Sequence, residues 1–211
     1  MHSFAIYASL LSLIATLGAG SPAAAGVSAG HAGFTLPANL SSGLYTAYFD
    51  STGKEIHELI STDLPTGSPV ELSLEKRQQY ADNVVLEFTL CGCGFNVDVA
   101  DCNGAVAGLE NWAGNGRYMA INIVEYVIYG SVVAFVCSNN GEDGPSYVSA
   151  QSLAYDASVI TSNCGSYVAG TLIDRFPGTY WVYAEDTSGY MQYINGMNIC
   201  GAARYGTTNY C

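Results

Sequence analysis

Carboxylates and thiols are the groups best placed to do chemistry in this chain, because imidazoles and amines are confined to one end of it. His2, His31, His57, Lys54 and Lys76 all lie at or before residue 76, and neither residue type recurs afterwards. Residues 78–211 taken alone therefore cannot form a Ser-His-Asp triad or a Cys-His dyad. They also have no histidine ligand for a catalytic metal and no lysine for a Schiff base. Acids remain. Asp174, Glu185, Asp186 and Glu125 fall at or near the ends of predicted strands, where two carboxylates serve as general acid and nucleophile of a glycosidase. Their spacing does not say which two would face each other, and solvated acids at loop edges are the simpler reading. Asp186-Thr187-Ser188-Gly189 has a superficial likeness to the Asp-Thr-Gly of aspartic proteases, but carries an extra residue and has no matching second copy within residues 78–211. Residues 139–144 lack the alternating ligand spacing of a calcium loop and read as a connection. No metal or other cofactor is expected.

Seven cysteines, Cys91, Cys93, Cys102, Cys137, Cys164, Cys200 and Cys211, all follow Lys76-Arg77, the only adjacent pair of basic residues. A dibasic pair in a polar, turn-rich stretch suits a kexin-type processing protease, whose pocket takes two neighbouring cations. Residues 4–19 form an uncharged apolar run, followed by small residues up to Ala23-Ala24-Ala25, the pattern of a secretory signal. The expected organisation is a signal peptide (1–25), a pro-segment ending in the dibasic site (26–77) and a mature domain (78–211). So many cysteines imply an oxidising compartment, and three bridges with one leftover thiol are the simplest account. Cys91-Gly92-Cys93 is too tight for a C-x-x-C redox motif and reads as two structural half-cystines. Asn39-Leu40-Ser41 is the only N-glycosylation sequon.

Charge narrows the partners. Residues 78–211 hold Arg117, Arg175 and Arg204 against twelve carboxylates. Such a surface repels nucleic-acid phosphates and anionic membranes, and no basic stripe is present to release counterions. No segment is expected to span a membrane, since the N-terminal run is short of the roughly 20 apolar residues required.

Elements that would position these groups follow from periodicity. Residues 84–95 alternate, Leu86, Phe88 and Leu90 against Glu87, Thr89, Cys91 and Cys93, which predicts a strand with a bulge near Gly92 and Gly94. Asp98 or Asp101 is placed to cap a helix carrying Cys102, Val106, Leu109 and Trp112 at helical spacing. Residues 118–129 and 132–137 read as strands separated by Gly130-Ser131. Leu153, Ala157, Ile160 and Cys164 share a second helical face, with Gly165 as its C-terminal stop. Residues 167–173, 179–185 and 190–194 read as three aromatic strands punctuated by Pro177-Gly178 and Ser188-Gly189. Residues 46–60 suggest a hairpin or short helix. The expected fold is α+β: an antiparallel sheet with two helices on one face in a split βαβ, ferredoxin-like order, plus a C-terminal aromatic hairpin, stapled by disulfides.

Tyr180, Trp181, Tyr183, Tyr190 and Tyr193 crowd two neighbouring predicted strands. An exposed row of such rings offers large contact area at low entropy cost to a protein groove or a sugar; cross-strand packing in the core is the alternative.

The layout of signal, pro-segment, Lys76-Arg77 and cysteine-rich body resembles small secreted fungal effectors and killer toxins. The strings VVAFVC (132–137), CGSYVAGT (164–171) and GYM (189–191) are similar to segments of uncharacterised secreted fungal proteins, and the helix–strand order is similar to the smut-virus killer-toxin α/β fold. The resemblance implies a non-enzymatic extracellular protein that binds a host or competitor protein. It supplies no catalytic residues. From the residues themselves, a carboxylate-dependent glycan hydrolase and a carbohydrate-binding module are the competing readings; cell-wall glycan is the partner expected on the carbohydrate-binding reading.

Overall fold

Val132–Ser138 is buried at every position, as an apolar run covered on both faces must be. It is the centre of the molecule. The computed structural model describes residues 34–65, 67–69, 86–138, 145–176 and 184–200. These form β1 (Gly43–Phe49), β2 (Glu55–Ser61), β3 (Leu86–Asn96), α1 (Val99–Ala113), β4 (Arg117–Met119), β5 (Ile123–Tyr129), β6 (Val132–Ser138), β7 (Ser146–Val148), α2 (Ala150–Cys164), β8 (Val168–Phe176) and β9 (Ala184–Gln192). Seven strands make one sheet in the order β2-β1-β5-β6-β9-β8-β3, with every neighbouring pair antiparallel, and β4 and β7 form a separate pair.

Both helices lie on one face of the sheet; the first starts at one of the two predicted caps, and the second at a capping box that the sequence reading did not single out. The Asp98 side chain caps α1 by accepting from the Asp101 amide. Ser149 and Ser152 form a reciprocal capping box at α2. Val106 and Leu109 of α1 and Leu153 and Ile160 of α2 pack on Val127, Val132, Ala134, Val136, Leu172 and Tyr190 of the sheet. Asp101 also accepts from the amide and hydroxyl of Ser131 at 2.7 and 2.8 Å. This ties the first turn of α1 to the β5–β6 turn, where Gly130 adopts φ 55°.

The opposite face carries a second core. Val124, Tyr126, Ile128, Val133, Phe135 and Cys137 of β5 and β6 are covered there by Phe34, Leu36, Tyr45 and Ala47, and by Met197, Ile199 and Cys200. Residues 34–61, assigned from sequence to a removable pro-segment, thus supply two strands of the main sheet and part of a core. The hairpin alternative for residues 46–60 is the one adopted. Residues 1–25 and the Lys76-Arg77 pair lie outside the described residues, as do Tyr180, Trp181, Tyr183 and Cys211.

The α+β class stands; the strand order is not the ferredoxin one. In that order the first strand of the domain is interior, whereas β3 here is an edge strand paired only with β8. Ser188-Gly189 does not interrupt an aromatic hairpin but sits inside β9. A Cβ on Gly189 would come within 2.5 Å of the Gly170 carbonyl oxygen, so the glycine serves close strand approach rather than a turn. Residues 118–129 are two strands rather than one, separated around Asn122, which takes φ 58°. The bulge predicted near Gly92 and Gly94 is present as a register shift between Cys91 and Asn96.

Among the described residues two disulfides fasten opposite faces. Cys91–Cys164 joins β3 to the end of α2, and Cys137–Cys200 joins β6 to the segment after β9. Cys102 is the free cysteine among the described residues, buried in α1. No helix among the described residues is long and apolar enough to cross a membrane.

Candidate functional site

Strand register brings distant acids together. Ser138 of β6 pairs with Asp186 of β9, Asp186 with Asp174 of β8, and Asp174 with Glu87 of β3. The row runs across four strands on the helix-covered face, at the end where α2 begins. Here the apolar layer gives way to polar side chains. Asp156 and Tyr155 reach it from α2. The Ser188 hydroxyl donates to Asp156 Oδ2 at 2.7 Å, and the Tyr155 hydroxyl sits 3.3 Å from both Glu87 oxygens. Ser146 Oγ lies 2.5 Å from Asp186 Oδ1 and 2.7 Å from Ser138 Oγ. The Ser146 hydroxyl is the donor toward both oxygens, its one hydrogen shared between the Asp186 carboxyl and the Ser138 hydroxyl.

Burial grades the acids along the row. Asp174 is 7% exposed; Asp156 and Asp186 are partly exposed and Glu87 is open to solvent. Burial, then the charge of Asp156, pushes the Asp174 carboxyl well above the ordinary carboxylate range. Burial also raises Asp156, against the lowering effect of its hydrogen bond from Ser188. The two titrate as a coupled pair in which Asp174 is the member held protonated more firmly. Asp174 Oδ1 has no hydrogen-bond partner among the described residues. A carboxyl next to a carboxylate is the arrangement from which one donates a proton while the other accepts one. No set of three or more acidic, histidine or cysteine side chains among the described residues is arranged to hold a metal.

Of the acids singled out from sequence, Asp174 and Asp186 meet in this row. Glu125 does not: it lies on β5 beside Thr46 and Arg117, where burial pushes its carboxyl up to about 7. The side chain of Glu185 lies outside the described residues. Asp156 and Glu87 were missed, because their proximity depends on helix docking and on a β3–β8 register that local spacing does not encode.

A second feature lies on the outer side of β7. Strand alternation points Ser146 and Val148 inward and Tyr147 outward. Tyr147 pairs with Tyr118 of β4, and their rings meet edge to face with centroids 5.2 Å apart. Tyr118 is 73% and Tyr147 56% exposed. Beside them Arg117 stacks 4.7 Å over the Trp112 ring. Gly116 makes this possible: its φ is 127°, and a Cβ there would overlap the Tyr147 hydroxyl, which donates to the Asn115 carbonyl.

The aromatic row anticipated near the C-terminus is not built that way where it is described. Tyr190 is a core residue under α2, with its hydroxyl 3.3 Å from that of Thr161. Tyr193 is partly buried, its hydroxyl donating to the Pro37 carbonyl and accepting from the Leu40 amide. Alternation on a sheet covered on both faces turns these rings inward.

His57 also has a place. Its Nδ1 is 2.8 Å from the Tyr126 hydroxyl and its Nε2 2.8 Å from Glu55 Oε1. The exclusion of histidine chemistry therefore applies to residues 78–211 alone, not to the sheet as folded. The group facing the imidazole is a fully buried tyrosine whose hydroxyl pKa is raised by burial. That makes the contact a structural clasp rather than a nucleophile and its base. No protein-family model, no curated protein and no solved structure matches this chain.

Proposed function

We propose that the protein is a secreted effector or toxin that acts outside the cell by binding a host or competitor protein, matured by cleavage after Lys76-Arg77. The observation that carries the reading is the exposed Tyr118–Tyr147 pair with the Arg117–Trp112 stack beside it. Tyrosine, tryptophan and arginine are the residues that concentrate in binding interfaces, and single scattered hydrophobics would need no such account. The two disulfides and the signal-like N-terminus support export. A Tyr118→Ala/Tyr147→Ala variant of the secreted protein, infiltrated into plant tissue or spotted on competing yeasts, should lose its effect while keeping its near-ultraviolet circular dichroism. Full activity in that variant would remove the patch as the binding face.

A carboxylate-dependent glycan hydrolase is the second reading, favoured by the Asp174–Asp156 pair and the neighbouring Asp186. It calls for sugar release from a polysaccharide panel, abolished in both Asp174→Asn and Asp186→Asn. No release from any polysaccharide, or release that survives both changes, would leave the acids a structural role.

A further inference from the structure

We infer that residues 34–61 are a permanent subunit of the fold, so that cutting after Arg77 yields a two-chain protein rather than a shortened one. This deepens the processing step of the proposed function and rests on it. Hydrolysis of the Arg77–Gln78 bond by a dibasic-specific protease adds one water and leaves a carboxylate on Arg77 and an amine on Gln78. Nothing in that step separates the two pieces.

The N-terminal piece is held on three sides. β1 pairs with β5 over six residues, from Gly43↔Ile128 to Tyr48↔Ile123. Without it β5 would be an exposed edge with a row of unpaired backbone groups. Phe34, Leu36, Tyr45 and Ala47 are nearly or fully buried in the second core, and Tyr45 stacks on Tyr126 with centroids 5.2 Å apart. The segment after β9 grips residues 34–40. The Leu36 amide donates to the Met197 carbonyl at 2.9 Å, the Gly196 amide to Leu36 at 2.9 Å, and the Ile199 amide to Phe34 at 3.0 Å. Cys137–Cys200 holds that gripping segment on the sheet. On the helix face Leu64 packs into the main core near Gly108 and Val127. His57 adds a polar clasp to Tyr126. Every cysteine lies at residue 91 or beyond, so no disulfide can bind the pieces, and the association is wholly non-covalent.

The test replaces Lys76-Arg77 in the full chain with a sequence-specific protease site, cuts the folded protein, and compares it with the unaltered chain from a secreting yeast. Two fragments on a denaturing gel, with a single species of their summed mass on gel filtration and by native mass spectrometry, is the expected result. His57→Ala in the cut protein should speed release of the N-terminal fragment at least tenfold while the uncut chain keeps its fold. Separation of the fragments with residues 78–211 retaining native circular dichroism would overturn the inference. Failure of the secreting host to cut the unaltered chain would remove the processing reading, yet leave the engineered-site result standing.

Discussion

Asp174 is the residue whose environment departs furthest from what its chemistry prefers. An acid buried beside Asp156, with Asp186 and Glu87 flanking it, is comfortable only while it carries a proton. Asparagine keeps the shape and removes the ionisation. Asp174→Asn should raise stability at pH 8 by about 2 kcal/mol, equivalent to about 4–8 °C in Tm, and do little at pH 4. Thermal melts at the two pH values decide it; a variant less stable than the parent at pH 8 would show that Asp174 is held charged. The residue was visible in the sequence as an acid near a strand end. Its partners were not, since Asp156 arrives from a helix and Glu87 from the far edge of the chain's middle. The exposed pair Tyr118 and Tyr147 was equally hidden. Tyr147 belongs to a three-residue strand embedded in what reads as loop, and only pairing with β4 turns the two rings outward together.

At the scale of elements, local signals carried most of what could be read. The spacing of Cys102, Val106 and Leu109, and that of Leu153, Ala157 and Ile160, placed both helices, because each apolar stripe must face a core. The continuous run from Val132 placed the central strand for the same reason. Ser188-Gly189 misled: its composition is that of a turn, whereas its role is set by how closely β8 approaches β9. Gly189→Ala should therefore destabilise the protein by about 1–3 kcal/mol, the cost of forcing a side chain into a space occupied by backbone. A denaturant midpoint unchanged by the substitution would mean that the strands part without penalty. Strand order was illegible for a related reason. Antiparallel neighbours β6 and β9 are separated by β7, a helix and β8, and nothing local records which edge a later strand will join.

At the scale of the whole molecule, three carboxyls that desolvation pushes up, Asp174, Asp156 and Glu125, favour the fold in acid. Asp174 and Asp156 face each other, Ser188, Asp186, Glu87 and Tyr155, and Glu125 faces Thr46 and Arg117. All three have folded-state pKa values raised above the unfolded range of about 4. The stability that accompanies their protonation is complete below about pH 4 and is lost as pH climbs through the raised values, so melts should fall in temperature from pH 5 to pH 8. A flat or rising profile would contradict the assignment of these groups as the dominant ionisations. The leader-like composition of residues 26–77 concealed the place of Gly43–Phe49 and Glu55–Ser61 in the sheet. A segment rich in Gly, Ser and Thr and free of cysteine reads as disposable, while Phe34, Leu36 and Tyr45 reveal their burial only once β5 is there to receive them.

Cys102 has a consequence for how the protein is made. Enclosure within α1 pushes its thiol up to about 12 in the folded protein, where it stays protonated at neutral pH and offers no sulfur anion to attack a neighbour. Once folding has enclosed it, Cys102 no longer competes for the sulfurs of Cys91–Cys164 and Cys137–Cys200, and alkylation of Cys102 by iodoacetamide, read by peptide mapping, should wait until the protein is unfolded.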